Sequence, residues 1–163
     1  MNIGVSEELP GIRAVTQKAQ FQWKRVALGA VAGGAVAAAV NTGLYLLFHA
    51  LGVAFMIQPD PAAPAAPISA PSFGVASFVA ALLAGGLLLL LGRFTTKARR
   101  AFVVIACAIT ALSLAGPATI GGASSGTRVA LMLIHLVAAM SISRALLLST
   151  RTQDDTMPAT VGR

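Results

Sequence analysis

Charged side chains are so sparse in this sequence that they cut it into long apolar runs. Residues 26–57, 74–92 and 101–120 carry none, and 129–148 carries only Arg144. A charge at the bilayer centre costs ~2.5 to 3.5 kcal/mol on insertion scales, so cuts of this kind mark the ends of membrane spans. One helix needs ~20 apolar residues to cross, and each run supplies about that number or more. The pattern predicts an all-α, four-span transmembrane helical bundle, with spans at about 26–55, 74–92, 101–120 and 128–148. At ~1.5 Å per residue the first run exceeds the hydrocarbon core, so its helix should tilt or project beyond the surface. Gly116 and Pro117 interrupt the third run near its far end. Proline lacks the amide proton its turn needs, which predicts fraying or a kink there. Arg144, close to the last turn of the fourth span, can snorkel to the interface with its methylenes still in the apolar layer.

The segments between and around the runs have their own patterns. After the first span comes QPDPAAPAAPISAPSFG, a proline-rich first outer loop with Pro59, Pro61, Pro64, Pro67 and Pro71. Prolines at that density exclude helix and favour extended backbone. Two readings follow: a passive linker, or a short β-ribbon over the bundle mouth, with Phe55, Met56 and Ile57 pairing near Ile68. Residues 1–25 form an N-terminal segment in which Ile12, Val15, Ala19 and Trp23 recur at helical spacing beside Arg13, Lys18 and Lys24. That spacing predicts an amphipathic helix on the inner leaflet, with Trp23 at headgroup level. Residues 149–163 are polar and contain Pro158, and a disordered cytoplasmic tail is expected.

Composition agrees with this division. Of 163 residues, 56% are hydrophobic and only 10% charged, where a soluble domain carries about a quarter charged residues. Mean hydropathy is +0.81. The lipid bilayer is therefore the expected surrounding. A net charge of +7 raises nucleic acid as a partner, but the basic residues lie between hydrophobic runs and form no separate basic domain, so none is expected. Their placement is topological. All but one of the 12 basic residues fall before the first span, between the second and third, or from Arg144 onward, leaving only Arg128 on the other side. By the positive-inside rule both termini are cytoplasmic. A cleaved signal peptide is the competing reading of the first run, but the run and the segment before it are both too long for one.

Chemistry inside the spans is limited by what they contain. All five acids, Glu7, Glu8, Asp60, Asp154 and Asp155, lie outside the runs, which argues against a carboxylate-based proton-coupled carrier and an intramembrane aspartyl protease. There is no HExxH, and the single Cys107 rules out an internal disulfide, a CxxC pair and a cysteine-built metal site. Cys107 reads as a small packing residue. No enzyme activity, cofactor, catalytic residue or metal ligand is expected. Asn41, Tyr45 and His49 are spaced four apart and share one helical face. Gly29 and Gly33 form a GxxxG, and Ala81 with Gly85 a small-xxx-small pair, serving either a dimer face or, more simply, packing within the bundle. His135 reads as an uncharged histidine bonded to a neighbouring helix. The sharper alternative, bis-histidine haem ligation with His49, meets a disagreement in height: His49 sits ~36 Å above Arg25, and His135 only ~10 Å below Arg128. Asn41, Ser113 and His135 fall at similar depth in the outer half of the bilayer, ~24, ~18 and ~20 Å from the inner ends of their spans. An unpartnered polar group facing lipid loses several kcal/mol, so these three are expected to turn inward as a buried hydrogen-bonded cluster under the proline-rich loop.

The stretch LSLAGPATIGGASSGTRVALMLIHLVAA, together with GRFTTKARRAFVVIA and SFGVASFVAALLAG, resembles an uncharacterised family of small four-helix membrane proteins common in high-GC actinobacteria, classified only as a domain of unknown function. The resemblance covers about residues 26–148 and implies the four-span architecture and a bacterial inner-membrane location. It brings no activity or site residue. The leading expectation is a non-enzymatic structural or accessory membrane component. The alternatives are a small oligomeric transporter or channel subunit, and a haem- or quinone-binding membrane protein. A homo-oligomer or an unidentified membrane protein stands as candidate partner.

Overall fold

A computed structural model describes the backbone of residues 10–58 and 60–150 and the side chains of those from Trp23 onward. The expected apolar face of Ile12, Val15 and Ala19 and the tail after Thr150 lie outside the described residues. Four helices follow in order: α1 (Pro10–Ala50), α2 (Ala70–Phe94), α3 (Ala98–Thr119) and α4 (Ser125–Ser149). Each contains a stretch long and apolar enough to cross a membrane, beginning in α1 at Trp23–Ala50. Large apolar side chains such as Leu28, Val36, Leu90, Val104 and Leu112 point outward, as a lipid environment requires. The chain is an all-α, four-helix membrane bundle.

Helix ends are decided by local chemistry as well as by charge. The uncharged run continues to Ile57, yet α1 stops at Ala50, short of the expected residue 55. Gly52 takes a left-handed φ of 89°. Its N–H bonds the His49 carbonyl and the Val53 N–H bonds the Phe48 carbonyl, both at 3.0 Å, which is a Schellman closure. At the other end α1 is one continuous helix from Pro10, so the N-terminal segment leads into the span without a break. α2 starts behind Ser69 with Pro71 in its first turn, where a missing amide proton costs nothing. α4 is capped by Ser124, whose hydroxyl accepts the Thr127 N–H at 3.1 Å. Pro117 does not end α3, which runs on to Thr119.

Around the bundle the order is α1, α2, α3, α4, with α1 packed on α2 and α4, and α3 at the opposite corner. α1 lies against its neighbours through small residues. A Cβ on Gly33 would stand 2.6 Å from that of Ala145, and one on Gly29 2.7 Å from that of Ser149, both on α4. On the α2 side a Cβ on Gly85 would meet Ala30 at 2.7 Å, and one on Gly34 would meet Phe78 and Ala81 at about 3 Å. The GxxxG therefore packs this chain's own bundle. α3 is the exception, burying only Phe102 and Pro117.

The α1–α2 connection is not a passive linker. Strands β1 (Met56–Ile57) and β2 (Ala66–Pro67) pair antiparallel, Met56 opposite Pro67 and Ile57 opposite Ala66. The Ile68 N–H bonds the Phe55 carbonyl at 3.0 Å, and the Gln58 N–H bonds Gly121 in the α3–α4 connection at 2.8 Å. Gly122, at φ 68°, lies so close to Gln58 that a Cβ would meet its Cβ at 2.9 Å. Phe55 is fully buried with φ 49°, unusual for a bulky side chain. Its ring stays there against Tyr45 and Phe73, at centroid distances of 4.7 and 5.5 Å.

Gly33→Val should lose about 1 to 3 kcal/mol of bundle stability through overpacking against Ala145. Gly43→Ala, where nothing lies within 4 Å, should be neutral or slightly stabilising. Reversible unfolding of both variants in mixed micelles measures the difference.

Candidate functional site

Because α3 stays off the close-packed seam, space remains between it and the facing sides of α2 and α4. The result is a cavity of about 710 Å³. Its walls are mostly small or apolar, with Ala76, Ala80 and Ala84 from α2, Ala106 from α3 and Ala138 and Ala139 from α4. Ile68 and Ile120 stand at the end under the ribbon, and Phe102 at the other. Beyond Phe102 the bundle is closed by Val26, Leu88 and Leu146, all buried. Along α3 the lining runs from Phe102 to Pro117, ~22 Å at the helical rise, so the cavity is long and narrow.

Asn41, Ser113 and His135 all line this cavity. Their hydrogen bonds nevertheless go elsewhere than to one another. Asn41, 1% exposed, donates from Nδ2 to Ser77 Oγ on α2 at 2.7 Å. Ser113 donates to the Thr110 carbonyl at 2.8 Å, and His135 Nδ1 lies 2.8 Å from the Leu131 carbonyl, each within its own helix. The expected cluster is thus a shared wall with separate bonds. Thr110, also in the wall, returns its hydroxyl to Ala106 at 2.7 Å.

Two of these bonds fix hydrogen positions. Ser77 has one hydroxyl proton and gives it to the Phe73 carbonyl at 2.7 Å, so towards Asn41 it can only accept. The Asn41 amide must therefore present Nδ2 to Ser77, and its Oδ1 is left buried with no partner. A carbonyl can only accept, so His135 Nδ1 carries a proton and, in the neutral ring, Nε2 is an acceptor. Pro117 adds a third acceptor, since it has no proton for the Ser113 carbonyl one turn earlier.

Ser77 was missed by reasoning from sequence. Its signal was present: Phe73, Ser77, Ala81 and Gly85, all buried, repeat every four residues on α2 and continue the Ala81–Gly85 pair. His49 stands apart at the end of α1, stacked on Tyr45 at 5.7 Å with Nδ1 3.3 Å from the Val53 carbonyl. Cys107 is exposed on α3, so it faces outward and is not the packing residue expected. Among the described residues, no three of His, Cys, Asp or Glu come together as a metal site would need.

A family model described as a family of unknown function, DUF6069, matches residues 20–152. No curated protein and no solved structure matches the chain.

The two halves of the Asn41–Ser77 bond should differ in a predictable order. Ser77→Ala leaves both amide groups of Asn41 buried and unpaired, at about 1 to 3 kcal/mol. Asn41→Leu removes them together and leaves the Ser77 hydroxyl on Phe73, so its cost should stay near the ~0.6 kcal/mol typical of interhelical bonds in membranes. Unfolding free energies of the two variants test that order.

Proposed function

The chain belongs to the DUF6069 family, whose function is unknown, and we propose that it is a non-enzymatic accessory component of the bacterial inner membrane, acting by binding and not by turnover or conduction. The carrying observation is the closed end of the cavity. A conduit would need polar groups along its whole length, but the half towards the α2–α3 connection ends on Phe102 and the buried Val26, Leu88 and Leu146. The hydroxyls of Ser77, Thr110 and Ser113 are bonded to backbone carbonyls of their own helices, which supports a role in shaping the bundle.

Orientation follows from charge. Trp23, Arg93, Lys97, Arg99, Arg100 and Thr150 surround one cleft, so the start of the first span, the α2–α3 connection and the end of α4 share one face of the molecule. Near the ribbon the basic residue is Arg128, whose Nη2 donates to the Ile120 carbonyl at 3.2 Å. The basic face is the cytoplasmic one in this reading, both termini lie inside, and the ribbon faces outward.

Reporter fusions test the topology: sites after Arg163 and within 95–97 should read cytoplasmic, and one inside 61–65 external. Proteoliposomes carrying the protein should be no leakier to potassium or protons than empty vesicles. Flux that scales with protein would replace this reading by the channel-subunit one.

A further inference from the structure

The cavity has a direction. Asn41 and Ser113 lie towards its ribbon end, and His135 stands deeper: Ser113 is ~9 Å from the end of α3, Ser77, the partner of Asn41, ~10 Å from the start of α2, and His135 ~15 Å from the start of α4. From there to Phe102 the wall is Ala80, Leu83, Ala84, Leu87, Ala138 and Ile142, with Ser143 the polar exception. A narrow space of about 710 Å³ with one polar end fits an amphiphile with a single chain better than a compact solute, and its size is that of ordinary small-molecule sites, ~300 to 1,000 Å³.

The polar end also has a sign. Asn41 Oδ1 is an acceptor without a partner, covered within the cavity wall, which costs about 1 to 3 kcal/mol until a small turn of the amide brings it to a donor in the cavity. His135 Nε2 and the Ser113 carbonyl are acceptors too. The lining holds no Lys or Arg, so with His135 as the neutral ring no cation faces the cavity. A carboxylate or phosphate head would therefore meet acceptors with no cation, and an oxidised quinone or ketone offers only further acceptors. A hydroxyl supplies the missing proton.

We propose that the cavity between α2, α3 and α4 binds one neutral, lipid-like molecule whose hydroxyl donates to Asn41 Oδ1 and whose hydrocarbon chain lies along α3 towards Phe102. This deepens the binding reading but does not depend on orientation or on the absence of flux, so either of those tests can fail without it. A free long-chain alcohol and a glyceride with an open hydroxyl share the required chemistry.

The test uses full-length protein in detergent micelles, with cetyl alcohol and cetyl methyl ether as probes. The ether keeps the chain and lacks the proton. Affinities come from the concentration dependence of the unfolding midpoint. The alcohol should bind about two- to tenfold more tightly than the ether, the value of one hydrogen bond. In Asn41→Leu that preference should vanish while the chain still binds. Ala138→Phe and Ala84→Phe, which fill the apolar part from different helices, should each abolish saturable stabilisation by both probes. Native mass spectrometry of the purified protein should show one bound neutral molecule, its mass distinguishing alcohol from glyceride. Equal affinity for alcohol and ether in the unaltered protein, or stabilisation unchanged in both filled variants, overturns the proposal.

Discussion

Inside a bilayer, burying apolar surface between helices gains little, because lipid tails are as apolar as leucine. Helices there hold together where backbones come close enough for dense contact, and that constraint organises this molecule. α1 presents Gly29, Ala30, Gly33, Gly34 and Ala37 to α2 and α4, so neighbouring backbones approach to distances at which a single added methyl would collide. The buried clusters at either end of the bundle, and the position of α2 and α4 on either side of α1, follow from that seam.

The same constraint explains the cavity. α3 carries larger side chains where α1 carries glycine, buries little, and is held by Phe102 at one end and Pro117 at the other. Alanines on the facing sides of α2 and α4 do not reach across the gap. A void of that size in an apolar protein forfeits dispersion contacts along its walls, a loss that lipid chains or a ligand can recover.

Above the cavity, the ribbon joins two connections that would otherwise be independent. The bond from Gln58 to Gly121 ties the α1–α2 loop to the α3–α4 loop. Burial of Phe55 against Tyr45 and Phe73 offsets the left-handed backbone at that residue, a conformation that costs of order 1 to 3 kcal/mol. The prolines limit the alternatives open to the loop, and the aromatic contacts select among those left.

The number of spans was legible in the sequence because one term, the cost of a charge in hydrocarbon, dominates all others at that scale. The inward facing of Asn41 and His135 was legible for a related reason, since each group alone carries a large penalty in lipid. What each then bonds to was not. Competing partners differ by only about a kcal/mol, and Ser77 wins Asn41 because Gly74, against Thr42, lets α1 and α2 come into contact at that height. The early end of α1 was written in Gly52, but a glycine among sixteen reads as a stop only once its φ is known. Helix existence is a local property of composition, whereas the gap beside α3, the orphaned Asn41 oxygen and the pinned ribbon arise from distances between segments far apart in the chain, and only the assembled bundle sets those.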